Sequence, residues 1–459
     1  MNLLIILIGL ALFHFVTGLG ILNLFGIRQR LLPRIALSVI LGILVASVVP
    51  FLLQLFYIPV SSGNIFLTWT IFALLLNIKT LINLKKNPPK WTRFTFRLKL
   101  HELPAILLIG FMLFVSAWRC YYYPQYTRDG NSGPEPIAAY ALKEHTLINS
   151  VFSVDLGTTN NQYKSPFLTD LQLIYKYAGF PFGSMWLPLL VLSFFIFLYY
   201  VLSEKVHPVI AGILLVFFLF TPEAYAYTFV CLYDYSNMVL LFLGFYYLFS
   251  YFKSSQRNQF YLSALLMFFA VYVRSETLVL VFMAMPLALY SAYQAKENLL
   301  KALGHIAIFM VICGLGYLIP TEIYNNHYLP QTYQVDGLMN KDLSNIQPFF
   351  NRLSYMTLEL MLGNRGRMLW AYFMDIFVLF FLIELIFKRK FTKEAGNWLL
   401  AVLVIYIGLP FLGYLFPLMD LDNSTKRGLF KILPLMLLYM GNNQVLTRLS
   451  DRIKKWEQA

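Results

Sequence analysis

Charge is scarce in this sequence. Asp, Glu, Lys and Arg make up 13% of the 459 residues, about half of the roughly 25% typical of soluble domains. Hydrophobic residues make up 59%, with mean hydropathy +0.64. That balance excludes a soluble fold, intrinsic disorder and a collagen-like repeat. Cysteine is nearly absent. Cys120, Cys231 and Cys313 form no C-x-x-C pair, so neither a zinc site nor a disulfide-stapled module is implied, and small buried thiols are expected. The six histidines are scattered without an H-E-x-x-H spacing, and no G-x-x-x-x-G-K-[ST] loop occurs, which removes a zinc-hydrolase helix and a nucleotide-hydrolysing loop. Gly18-Leu19-Gly20 and Gly314-Leu315-Gly316 lie inside apolar runs, where close helix packing accounts for them. No internal repeat is visible.

What the sequence has in quantity is long apolar runs. A hydrocarbon core of about 30 Å takes about 20 apolar residues per helix. Runs bounded by charge, Pro and Gly fall at 2–25, 35–58, 64–83, 103–119, 186–202, 208–221, 228–252, 259–273, 277–292, 302–320, 368–387, 397–417 and 428–446. This pattern predicts an all-α polytopic membrane protein with about 13 transmembrane helices. Spans eight and nine are joined by Arg274, Ser275 and Glu276 alone, which predicts a tight or partly re-entrant hairpin. Placing loop 26–34 in the cytoplasm gives the cytoplasmic segments 22 basic and five acidic residues, and the external segments 11 basic and fourteen acidic. The net charge of +14 is therefore a topological signal, with anionic membrane lipid as its partner and no nucleic acid. The expectation is a multi-pass cytoplasmic (inner) membrane protein, N-terminus out and C-terminus in.

Two segments expected outside, 120–185 and 321–367, are longer than connections need to be, and function is sought there. In the first, Pro134 and Pro136 precede a helical pattern and an amphipathic run follows Pro166, which predicts two helices lying at the membrane surface. Asp129, between Arg128 and Gly130, is placed to take a proton from an acceptor hydroxyl; the plainer alternative is a turn cap. Ionisable groups at membrane depth are costly and usually face a cavity or a partner. Asp234 in YDYSNM, Arg274 and Glu276 in VYVRSETLVL, and Lys426 and Arg427 in NSTKRGLFKILPL all fall near the expected outer leaflet, which predicts a shared polar pocket. Asp375 and Glu384, nine positions apart in span eleven, are weak signals of a proton path.

Residues 103–440 resemble the GT-C superfamily of polytopic glycosyltransferases, which take sugars from polyprenyl-phosphate carriers. In that superfamily an acidic residue opens a large first external loop carrying surface helices, as Asp129 does after span four. An Asp at the outer start of a later span, an Arg-x-Glu hairpin running into apolar residues and Pro, and an Arg before a closing Leu/Pro-rich span are similar to Asp234, RSETLVLVFMAMP and KRGLFKILPL here. Two departures stand: the acidic dipeptide is absent, since Gly130 follows Asp129, and three spans come ahead of the one that leads into the loop, where the family often has a single span before it.

The resemblance implies a glycosyltransferase that moves a sugar, with inversion, from a polyprenyl-phosphate donor to a hydroxyl or amine of a lipid, glycan or protein acceptor at the external face. Asp129 is the expected general base, with Glu135 and Asp155 as reserve acids. Arg274 and Arg427 are expected to hold the lipid phosphate, with Lys426 and Glu276 beside them. Asp234 orients the acceptor or binds a divalent metal ion together with Asp129. The implied organisation is N-terminal helices and a basic loop over 1–102, a catalytic membrane module over 103–320 with its loop 120–185, a second external loop 321–367, and C-terminal helices with a basic tail over 368–459. An O-antigen polymerase or ligase, suggested by His327, Arg352, Arg365 and Arg367, and a transporter or flippase of a lipid-linked glycan are the competing classes. The transporter class predicts inverted repeats and midplane charges, whereas no internal repeat is visible and the polar groups fall mostly at the outer face.

Overall fold

The computed structural model describes residues 3–27, 29–86, 100–153, 164–294, 299–329, 340, 344–388, 391–416 and 421–458, and among them no strand occurs. Eight helices are long and apolar enough to cross a membrane: Leu3–Leu24, Leu31–Leu55, Ser62–Ile82, Leu103–Tyr122, Trp186–Ser203, Tyr233–Ser254, Leu300–His327 and Lys393–Leu415. A bent pair, Asn364–Trp370 with Phe373–Phe387, brings the number to nine if it counts as one span. The other expected spans are short or broken. Pro208–Leu219 has 12 residues, which rise only about 18 Å, and Arg257–Val273 has 17. The run at 277–292 breaks at Ala284 into Thr277–Met283 and Met285–Gln294. The run at 428–446 is interrupted by a turn after Phe430 and again at the extended residue Asn443.

The chain divides into two compact units. The first comprises residues 1–200, 228–233 and 318–330. In it the helices Leu3–Leu24 and Leu31–Ala46 approach closely where side chains are absent. A Cβ on Gly18 would collide with the backbone of Ser38, and one on Gly42 with that of His14, as expected where small residues let apolar helices meet. Gly20 is likewise crowded, by Leu76 and Asn77, while in the second unit Gly316 is crowded by Phe268 and Gly314 faces open space. In the long segment 120–185 the helices Pro134–Glu144 and Phe167–Tyr177 do form, and they pack on each other. The second does not lie free on a surface, however. Phe167 through Tyr175 are all buried, and the helix rests on Leu31–Ala46, Val49–Leu55 and Ser62–Lys86.

The second unit comprises residues 201–227, 234–317 and 331–459. The hairpin between spans eight and nine is as tight as its three-residue connection requires, with one helix ending at Val273 and the next starting at Thr277. The expected span at 368–387 starts later. Its first residues belong to Asn364–Trp370, turned 103° from the following helix, and the break is at Ala371, whose φ of 49° is left-handed.

Candidate functional site

In the first unit, Asp129 lies on the short helix Arg128–Asn131, and its carboxylate is 3.7 Å from the Lys164 ammonium. Lys164 in turn sits 5.8 Å over the ring of Tyr233. Asp129 is therefore a partly exposed carboxylate beside a cation. Glu135 is placed differently. It accepts from Lys176 at 2.6 Å, and Lys176, 8% exposed, also donates to the Pro181 carbonyl at 3.2 Å. That pair staples the two loop helices together, so Glu135 has a structural partner where a reserve acid was expected. Asp155 lies outside the described residues.

The first unit also holds an acid that the sequence reading passed over. Asp170 is fully buried, one oxygen accepting from the Phe51 backbone N–H at 3.2 Å and the other without a hydrogen-bond partner among the described residues. Burial pushes its carboxyl well above the usual range, because desolvation penalises the charged form. Its sequence signal is only a carboxylate in the first turn of a helix.

The second unit gathers most of the other predicted residues. Asp234, 1% exposed at the start of Tyr233–Ser254, accepts from Arg274 Nη1, and Arg274 Nε donates to Glu276 at 2.5 Å. The hairpin forces this geometry: Arg274 ends one helix and Glu276 immediately precedes the next, so one guanidinium spans both carboxylates. Asn237, one turn beyond Asp234, donates to the Ala270 carbonyl at 2.7 Å and to Thr277 at 3.0 Å, fixing the hairpin against the same helix.

Lys426 pairs with Glu223 at 2.8 Å. Between these pairs stands Tyr227, its ring 4.6 Å from that of Phe430. Burial raises the Tyr227 hydroxyl well above its ordinary value, the carboxylates of Asp234 and Glu223 add to the rise, and Arg427 opposes it. Asp234, Glu223 and Arg427 thus act on one phenol, so these charged groups cluster within this unit.

Its most unusual member is Lys431, which the sequence reading did not single out. It is 3% exposed, the charges of Arg274, Glu276 and Asp234 reach it, and no carboxylate among the described residues lies within ion-pairing distance of its ammonium. A buried ammonium is costly unless paired. The available signal was a single lysine between Phe430 and Ile432, inside an apolar stretch.

The remaining candidates have structural partners. Glu384 is buried and accepts from Tyr439 at 2.8 Å, from Asn443 at 2.7 Å and from the Gln444 backbone at 3.3 Å, so it caps the break at Asn443. Asp375 lies 3.6 Å from Arg367. Arg365 donates to Asp422 at 2.9 Å and to the Tyr355 hydroxyl, while Arg352 packs against Gly413. Among the described residues no group of three or more His, Cys, Asp or Glu side chains could hold a metal ion. Asp129 and Asp234, expected to share one, belong to different units and each faces a cation. These donors do not fit a divalent-cation site.

No family model, no curated protein and no solved structure matches the chain. By helix length and hydropathy it is an all-helical, multi-pass membrane protein.

Proposed function

We propose that the protein is a membrane glycosyltransferase of GT-C type that moves a sugar from a polyprenyl-phosphate donor to an acceptor hydroxyl or amine at the external face. The observation that supports this reading is Lys431, a buried cation without a carboxylate of its own, next to an arginine already held by two carboxylates. A phosphate is the natural counterion for such a group, because a charge-assisted hydrogen bond in a low-dielectric site offsets the desolvation of both partners. Arg274, saturated by Asp234 and Glu276, sets the field and the shape of the site. Lys431 replaces Arg274 as the group that contacts the phosphate, with Arg427 one helical turn before it.

In the transfer step, the acceptor oxygen or nitrogen bonds to the anomeric carbon while the bond from that carbon to the phosphate oxygen breaks. The electron pair leaves with the polyprenyl phosphate, whose added negative charge Lys431 stabilises. The acceptor proton passes to a carboxylate base. Lys431→Met keeps the stem and removes the charge. It is expected to weaken polyprenyl-phosphate binding by about 10- to 100-fold, the scale of a lost charged hydrogen bond, measured by titration of the protein in nanodiscs. Unchanged binding by a folded Lys431→Met variant would falsify the assignment.

A further inference from the structure

The helix Gln444–Gln458 is the most amphipathic helix among the described residues, and the proposed transfer reaction does not use it. Asn443, in an extended conformation, separates it from the buried apolar helix Leu433–Asn442. One face is docked within the second unit. Leu446 and Ser450 are buried, the His207 backbone N–H donates to Ser450 Oγ at 2.8 Å, and the His207 ring lies 3.2 Å from Glu457. These positions, with Ile453, repeat at spacings of four, three and four, so they form one stripe of the helix.

The adjoining stripe is exposed and has a definite chemistry. Leu449 and Trp456, seven residues or two turns apart, are 46% and 81% exposed. Beside them Arg448, Arg452 and Lys455, also exposed, repeat at spacings of four and three. An apolar edge carrying a tryptophan and flanked by basic side chains matches the boundary between acyl chains and phosphate headgroups, where the indole ring and the guanidinium heads each find their own medium.

We infer that this face lies on the bilayer and binds anionic phospholipid headgroups through Arg448, Arg452 and Lys455, with Leu449 and Trp456 inserted among the acyl chains. The occupant is a lipid surface because apolar and basic side chains alternate over one narrow stripe. A protein groove would satisfy the apolar pair but leave three adjacent cations to be matched. The inference needs only that the chain spans a bilayer, and it stands or falls independently of sugar transfer.

The test uses the whole protein in nanodiscs with a fluorophore on Leu449→Cys; the native Cys120, Cys231 and Cys313 are buried and do not compete for the label. Three basic side chains near an anionic surface favour lipid partition by roughly two orders of magnitude. Acrylamide quenching of the label is therefore expected to fall severalfold when phosphatidylcholine discs are replaced by discs containing phosphatidylglycerol. Arg448→Gln, Arg452→Gln and Lys455→Gln together should abolish the difference, as should high salt. A label equally accessible in both discs overturns the inference. A label equally shielded in both also overturns it, since charge then selects nothing, and shielding that appears only with two copies per disc assigns the face to a second chain instead.

Discussion

Replacing Asp234 by Asn leaves the Arg274 guanidinium with one carboxylate where it had two. Asp234 is 1% exposed and Arg274 16%, so neither charge is well solvated, whereas Glu276 is 23% exposed and retains part of its hydration. Removing one member of a buried pair costs about 3–5 kcal/mol because the other charge stays behind. Glu276 remains on Nε, so the lower end applies, and about 3 kcal/mol is expected. For a cooperative unit of roughly 200 residues this corresponds to a fall in melting temperature of about 6–12 °C.

The assay is thermal unfolding in nanodiscs, followed for wild type, Asp234→Asn, Arg274→Met and the double variant. The double variant removes both charges and should recover much of the loss, giving a coupling energy of about 2 kcal/mol or more in the cycle. An Asp234→Asn protein that melts with the wild type, or a double variant whose loss equals the sum of the singles, refutes the claim that this pair is the core of the site.

Asp129→Asn is expected to leave the protein folded and to lower sugar transfer by at least about two orders of magnitude, the scale of a lost general base; near-normal turnover returns Asp129 to a turn-capping role. A periplasm-active reporter fused after about residue 160 should be active and a cytoplasmic one silent, as the loop charges demand; the opposite result reverses the orientation. Glu144 accepts from the hydroxyl and the backbone N–H of Ser150, which holds its carboxyl below the usual range. A depressed folded pKa means that its contribution is present above the unfolded carboxylate value and is lost as pH falls through the folded one. Hydrogen exchange at 150–153 should therefore accelerate on acidification, and Ser150→Ala should move that onset to higher pH; a pH-independent rate in both proteins counts against the contact.

Helical class and membrane residence were legible because they follow from apolar run length, which is local. The hairpin at 274–276 was legible for the same reason, and so was the gathering of Asp234, Arg274 and Glu276 in one unit. Span integrity was not: the breaks at Ala284, Ala371 and Asn443 are tertiary features, and hydropathy averages across them. Loop acids separated only when their partners were known. Asp129 and Glu135 are alike in sequence, yet one faces Lys164 at 3.7 Å and the other is held by nearly buried Lys176 at 2.6 Å. Lys431 was hidden by its neighbours, because Lys426 and Arg427 in a polar stretch drew the reading away from a single cation among apolar residues.

The helix Phe167–Tyr177 rests on the second and third membrane helices of the chain, which bears on how far this protein can be rebuilt. Those N-terminal helices are a foundation for the long segment, and they are not an interchangeable tether. Deleting them, or grafting in a generic anchor of equal hydropathy, would remove helices on which the buried helix Phe167–Tyr177 packs and leave the Asp170 carboxyl without the Phe51 amide. A minimal version of the protein must therefore retain its first three helices, and swaps between distant homologues should cut after the 120–185 segment instead of before it.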